Sequence, residues 1–573
     1  MKKSRIVGII CLLLFALGFV AACNRGNDTD TGNQPQAGAP ATPTPAPQQQ
    51  EPTTPDVTSI LNPIGTLPIV NDPVTLSVMT SIRTGQDMET NLAATEISYR
   101  TGVNIDWVQV PEPDFGTRLS LMLATNEYPE IITRWGNVGD FAMIYFYAQM
   151  GIFRSISDFI DPYMPNLQLF FEMYPQIHAD MFMPDGQIYG VPNVDDCFHC
   201  TMSQKLWIYT PWLDALGLDM PETTDELLYV LRAFRDRNPT GTDTPAIPFL
   251  GNTGWRNSPE ALLTSWITTD EGSRLQVRNN TVIPVFNTDE WRDGLRFLRL
   301  LNDEGLLDSE SFVIDRPGQA LIGNRPDYNI VGVKPGLWIG ATVLVDIEDQ
   351  EGRWNNWRMI PPLMGPNGHR EAQYSPLVGN HRAVVTDRLS DELMPVALRW
   401  LDNFLDTEFT LMAYRGIENV TWRWAEPGEV GIHGGPASWA RVFGIDDGPN
   451  VMIGQMFPMF RTHDFRLSEV ANRDIVEQES LLYDMSLIQL PFRQPLENVV
   501  PVLMFDEHTS VELVDLRTTI NSFVTENIAR FTVGDLDIET DWDWYINELQ
   551  AMGLGRYMQI MNEGLAARNA RGN

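Results

Sequence analysis

A chain of 573 residues with 43% hydrophobic content is long enough for two or more domains at roughly 100–200 residues each, with a sizeable core. Its 40 basic and 75 acidic side chains leave a formal charge of −35, which argues against nucleic acid as a partner and disfavours a polyanionic ligand unless one local basic pocket receives it. Lysine occurs at Lys2, Lys3, Lys205 and Lys334, so arginine carries nearly all the positive charge, and the 16 Trp supply many flat apolar faces with a polar edge.

Met1 to Ala22 has a basic start (Lys2, Lys3, Arg5) and an apolar stretch from Ile6 to Val20, which is signal-peptide length and too short for a comfortable membrane span. It ends in Val20-Ala21-Ala22-Cys23. This ending resembles the bacterial lipobox, and the resemblance implies cleavage before Cys23, lipidation of its sulfur and acylation (for example with palmitate) of the freed amine. Two or more acyl chains anchor stably where one is marginal. The expected location is the extracellular face of a cell membrane. Residues 23–72 then read as a tether. The run QPQAGAPATPTPAPQQQEPTTP lacks large apolar residues, cannot offset its ordering entropy, and with Pro stiffening reaches on the order of 100 Å.

The globular part is expected over 73–573. Val74 to Met79 and Val103 to Val108 alternate as strands, Glu130 to Thr133 is a short third, and Asp87 to Arg100 and Phe115 to Ala124 are helical between them. This βαβαβ order predicts an α/β fold with a parallel sheet, whose ligands lie beyond the strand carboxyl ends, where Trp135 falls. Later segments are helix-rich. Thr224 to Asp236, opened by Thr223-Thr224-Asp225-Glu226, and Glu290–Glu304, Asp391–Leu405 and Val511–Ile528 carry apolar stripes expected to be core.

Two local motifs have their own chemistry. Cys197 and Cys200, in DDCFHC, are the only cysteines beyond the leader and Cys23. Outside the cytosol a disulfide is expected; Cys-x-x-Cys also allows redox activity, and His199 a metal, but no second pair supplies the missing ligands. Asp236, Asn238, Thr240 and Thr242 keep alternating oxygens and Asp243 adds one carboxylate, but the late acidic pair that a calcium loop needs is missing, so the segment reads as a turn with no metal.

Several phrases in shared order resemble the extracellular solute-binding proteins of family 1, in the long lipoprotein branch that serves carbohydrate ABC importers. They are RTGVNIDWV (Arg100–Val108), MPDGQIYGVP (Met183–Pro192), the stretch from Trp207 to Pro239, ALRWLDNFLDTEF (Ala397–Phe409), YRGIENVTW (Tyr414–Trp422) and the stretch from Val524 to Ile560. The resemblance implies a bilobal periplasmic-binding-protein-like fold of type II. Lobe 1 would span about 73–193 and 373–420 and lobe 2 about 194–372 and 421–573, with hinge crossings near Asn193, Gln373 and Val420. It further implies a monomer that closes on a carbohydrate, hands it to ABC permease subunits, and needs no cofactor and no catalytic residue. A neutral di- or oligosaccharide is the expected ligand.

A sugar asks for aromatic plates under its C–H faces and polar side chains around its hydroxyl edge. The candidate plates are Trp135, Trp207, Tyr209, Trp255, Trp338 and Trp422, and the candidate polar partners are Asp195, Asp196, Arg256 and Glu418. The rival readings are a lipoprotein sensing a peptide or sugar for a membrane kinase, and a surface glycosidase. Paired carboxylates among 75 acids decide nothing for the latter, and the chain has neither a G-x-S-x-G elbow nor an H-E-x-x-H helix.

Overall fold

The computed structural model of the chain describes residues 60–323, 327–341, 343, 352–377, 379–442, 448–472 and 478–571. The leader, Cys23 and the Pro/Gln/Thr-rich run lie outside the described residues. Two sheets, each with its own buried core, give a bilobal α/β architecture.

In the first lobe the strand Val74–Ile82 lies between Val103–Pro111 and Ile131–Thr133, parallel to both. Ala383–Val385 returns from much later in the chain to close the edge antiparallel to Ile131–Thr133. Successive side chains of a strand point to opposite faces. Accordingly Leu76 and Val78 enter one core with Ile131, while Met79 enters another with Ile132 and Val384. Both faces are therefore covered, as a parallel sheet requires. The first crossover helix is shorter than its apolar pattern predicts. It runs Leu92–Thr101, because the Asn91 side chain accepts from the Ala94 amide and starts it there. Gly102 ends it in the left-handed region at φ 73°.

The second lobe holds a four-stranded sheet in the order Trp357–Ile360, Leu206–Tyr209, Val331–Pro335, Ile247–Phe249. The Thr224–Arg237 helix packs on it through Leu227, Val230, Leu231 and Phe234. Its N-terminus is a reciprocal capping box: the Thr223 side chain accepts from the Glu226 amide, and Glu226 accepts from the Thr223 amide. The 27-residue helix Glu507–Val533 and the C-terminal helix Leu554–Arg571 complete this core through Ile520, Val524, Tyr557 and Leu565.

Core membership passes from the first lobe to the second between Val194 and Trp207, back between Leu363 and Ala383, and over again between Phe457 and Leu481. The first change begins just beyond Asn193, and the second brackets Gln373. The third differs from the crossing expected near Val420: Ile453, Met456 and Phe457 pack against Trp400 and Phe404 in the first lobe. Ile453, Met456 and Phe457 therefore do not belong to the second lobe as expected. A second correction concerns the tether. Residues 60–72 fold onto the first lobe: Ile69 and Val70 are buried, the Ile69 amide donates to Thr101 O, and the Arg399 guanidinium donates to Asn62 O and Pro63 O. The apolar residues of Ile60 to Val70 supply the burial that the preceding run lacks.

Among the described residues no helix is long and apolar enough to cross a membrane.

Candidate functional site

The junction of the lobes is built on a two-stranded parallel pairing of Val194–Asp195 with Phe460–Arg461. Around it the chain concentrates charge out of water. Asp195 accepts from Arg466 Nη1 at 2.9 Å and faces Arg461 Nη1 at 3.5 Å. Arg466 Nη2 donates to Glu479 at 3.1 Å, and Arg415 Nη2 to Glu469 at 3.3 Å. The Arg461 and Arg415 guanidinium carbons lie 3.8 and 4.2 Å from the Tyr414 ring centroid. Burial works to raise Asp195, but the Arg461 and Arg466 charges outweigh it and hold the carboxylate below its ordinary range. Burial also works to raise the Tyr414 phenol, and Arg415, Arg461 and Arg466 together hold it below the ordinary tyrosine range. Asp196 is pushed up, chiefly by burial, with His463 and the Tyr174 hydroxyl moderating the rise.

The neighbouring loop carries the cysteines. Cys197 and Cys200 form a disulfide with Cα atoms 5.1 Å apart. His199 places Nε2 3.4 Å from Cys197 Sγ, and burial holds its ring neutral, down to about 3. Lys205 Nζ donates to His199 O and Met202 O at 2.7 and 2.5 Å, and burial followed by the Arg256 charge lowers it to about 7.

The expected sugar plates separate into two groups. Trp135 is 47% exposed just beyond the Ile131–Thr133 strand, with its amide on Ser81 Oγ and its ring 5.2 Å from the Arg83 guanidinium carbon. Trp255 is 60% exposed, with the Arg256 guanidinium carbon 4.8 Å from its ring. Trp338 is half-buried against the second core, shortly after the Val331–Pro335 strand. The other three are corrections. Trp207 is wholly buried, with its indole N–H on Gly336 O at 2.9 Å. Tyr209 is buried against Trp357 and Trp212. Trp422 is wholly buried with Leu411, Trp439 and Phe465, its N–H on Gly416 O. Each lies on or beside a strand and fills the core its face covers, so none presents a plate to a ligand here.

The polar candidates are also dispersed. Asp195 is committed to the arginines above. Arg256 is buried, donates Nη2 to Asp270 at 2.5 Å and gives its amide to Glu271. Glu418 is half-buried beside Trp422. In the calcium-like turn the Thr240 hydroxyl sits 3.0–3.3 Å from Asn238 Oδ1, Thr242 O, Thr242 Oγ1 and Thr244 O, so a hydroxyl group holds the centre of the converging oxygens.

A cavity of about 240 Å³ is walled by both lobes. From the first lobe come Asp140, Phe141, Ala142 and Tyr145 at the start of the Phe141–Gln149 helix, with Met183 and Pro184. From the second come Ser273, Leu275, Val500, Pro501, residues 503–505, the Ser510–Arg517 turns of the Glu507–Val533 helix, and Tyr557 and Met561. The two wall helices are fixed at their starts by Asp140, which accepts from the Met143 amide, and Asp506, which accepts from the Thr509 amide. Arg568 Nη1 ties the lobes nearby, donating to Asp180 Oδ1 at 3.0 Å and Val502 O at 2.9 Å. Burial raises both phenols of the wall, Tyr145 with help from Asp185 and Tyr557 to about 12, so both remain neutral hydroxyls near neutral pH.

Sequence reasoning missed this wall. The stripe from Val511 to Ile528 was expected to be core, and Ile520, Val524 and Ile528 are core. Val511 and Val514, however, are 60% and 40% exposed. A second apolar face on one helix was the available signal.

No family model matches the chain. It is 24% identical over 500 residues to the fructooligosaccharide ABC transporter substrate-binding protein FusA of Streptococcus pneumoniae, covering 83% of this chain and 86% of that one. It is 26% identical over 332 residues to lipoprotein LipO of Bacillus subtilis, covering 56% of this chain and 61% of LipO. The solved structure of an EF-hand mutant of S. pneumoniae FusA in complex with fructo-nystose superposes with a TM-score of 0.72 at 22% identity, over 87% of this chain and all of that one. The fold is that of the bilobal solute-binding proteins, and the chain is similar in sequence to substrate-binding proteins of ABC importers.

Proposed function

We propose that this chain is an extracellular substrate-binding lipoprotein, anchored through Cys23, that captures a carbohydrate between its lobes and delivers it to the permease subunits of an ABC importer. The observation that carries the reading is a cavity whose walls come from two separately cored lobes joined by three chain crossings. A ligand that touches both walls favours the closed arrangement by the difference between its contacts in the closed and open states. Similarity to FusA supports carbohydrate as the ligand class and an importer as the partner. No bond of the ligand changes. A neutral di- or oligosaccharide remains the proposed guest, with Trp135, Trp255 and Trp338, which stand outside the cavity lining, as its proposed plates.

Thermal unfolding of the full chain in detergent, against di-, tri- and tetrasaccharides of the common neutral and acidic sugars, tests the reading. A bound saccharide at a hundredfold excess over Kd is expected to stabilise by about 2.7 kcal/mol. Stabilisation by no member of the panel, or release of new reducing ends during incubation, would overturn it. Metabolic labelling with palmitate tests the anchor, and label persisting in Cys23→Ser would remove it.

A further inference from the structure

The interlobe cavity presents more apolar than polar wall to a guest. A pyranose carries a hydroxyl on nearly every carbon, and each one buried without a partner costs free energy. The wall offers four polar side chains, Asp140, Ser273, Ser510 and Arg517, besides the hydroxyls of Tyr145 and Tyr557. Asp140 Oδ1 already accepts the Met143 amide, and Arg517 is exposed at the rim. The rest of the lining is aliphatic, aromatic or thioether, with Phe141 and Met183 from one lobe and Met504 and Leu513 from the other. Methionine reshapes readily around flat or irregular apolar groups. An apolar cavity of roughly 150 Å³ admits benzene, so about 240 Å³ admits an aryl ring or a short acyl chain.

We propose that this cavity receives an apolar substituent of the captured glycan, an aryl or acyl group, while the sugar ring to which it is attached stays at the polar rim near Asp140 and Arg517. The assignment rests on the glycan-capture reading for the ring and on the cavity lining for the substituent. It makes the substituent a determinant of specificity, because a guest without it leaves apolar wall on both lobes without a partner.

The test uses the full chain in detergent below its micelle-forming concentration, with 1-anilinonaphthalene-8-sulfonate as the apolar probe and paired 4-nitrophenyl and methyl glycosides of the panel sugars as competitors. Saturable one-to-one probe binding is expected. Val514→Asp, on an exposed part of the wall, and Tyr145→Ala should each weaken it at least tenfold. Nitrophenyl glycosides should displace the probe at concentrations at least tenfold below their methyl counterparts. Absence of saturable binding, indifference to both variants, or equal displacement by the two glycoside series overturns the proposal. A chain that doubles its mass with concentration and reverts to monomer on Val514→Asp also overturns it, since a second copy would then cover the cavity. Probe and nitrophenyl binding without any saccharide response in thermal unfolding would remove the glycan reading and leave the apolar site standing. Saccharide binding with no preference for the substituted forms would do the reverse.

Discussion

Two regions lie between the same two lobes and are made of opposite materials. The junction around Val194–Asp195 and Phe460–Arg461 packs Arg415, Arg461 and Arg466 against Asp195, Glu469 and Glu479. The cavity is lined by phenylalanine, methionine, leucine and tyrosine with few charges. Removing charge from water is costly unless every member is paired, so the junction holds one arrangement and tolerates little change. Apolar wall facing water gains free energy when something covers it. The junction thus suits a hinge that must return to the same place, and the cavity suits a surface that waits for a guest.

The largest expected effect comes from breaking the junction. Glu479→Ala leaves Arg466 with Asp195 as its remaining carboxylate partner in a largely buried network. Removing one member of such a pair costs about 3–5 kcal/mol, to be read from chemical denaturation of the variant against the parent. A loss below about 1 kcal/mol, the range of an exposed pair, would mean that the junction's charges are solvated and that the contrast with the cavity is false.

Titration probes the same contrast without mutation. Burial works to raise Glu479, but the charges of Arg466, His199, Arg415 and Arg461 prevail and hold it to about 2. A depressed carboxylate contributes stability that is present above its unfolded value near 4.3 and is lost as pH falls toward about 2. Two buried carboxyls act in the other direction. Burial and the Glu260 charge raise Glu271 to about 7, and burial raises Asp402 to about 7. Their stabilisation is fully present below their unfolded values near 4 and is lost as pH rises through about 7. Scanning calorimetry from pH 2 to 9 is therefore expected to show the highest Tm at roughly pH 4 to 4.5, where the Glu479 contribution is regained and that of Glu271 and Asp402 has only begun to fall. Glu479→Gln should flatten the acid limb and Asp402→Asn the alkaline limb. Parallel limbs in parent and variants would refute the assignment.

The disulfide should matter less. It closes a loop of four residues, for which chain entropy gives about 2 kcal/mol. The two Lys205 hydrogen bonds to His199 O and Met202 O hold the same loop independently. Unfolding with and without reductant measures the difference. A loss as large as that of Glu479→Ala would move the weight of the junction from its charges to its covalent link.

Much of this was legible in the sequence where the signal is local. Thr223 and Glu226 announce a helix start because a capping box needs two side chains three residues apart. Val74 to Val108 declares its strands because the core lies on known alternate positions. The site was less legible because exposure is set by distant chain. Trp207 and Trp422 look like plates by residue type, but Gly336 and Gly416 bring carbonyls to their indole nitrogens, and burial follows. The third crossing was misplaced for the same reason: Phe457 joins the first lobe by stacking on Phe404, 53 residues earlier. Ile60 to Val70 was absorbed into the tether because the Arg399 that receives it lies more than three hundred residues downstream.

The smallest expected effect sharpens the comparison most. Val514 is 40% exposed on the cavity wall, in a helix whose buried face is carried by Ile520 and Val524. Val514→Asp removes little buried apolar area and puts its charge where water already reaches, so its cost should stay within about 0.5 kcal/mol, as for other surface positions. Denaturation midpoints of this variant and Glu479→Ala, measured side by side, are expected to differ by several-fold in free-energy loss. A large loss in Val514→Asp would show that the wall is packed core in solution. The cavity would then be part of what holds the lobes folded, and its apolar lining would need no guest to explain it.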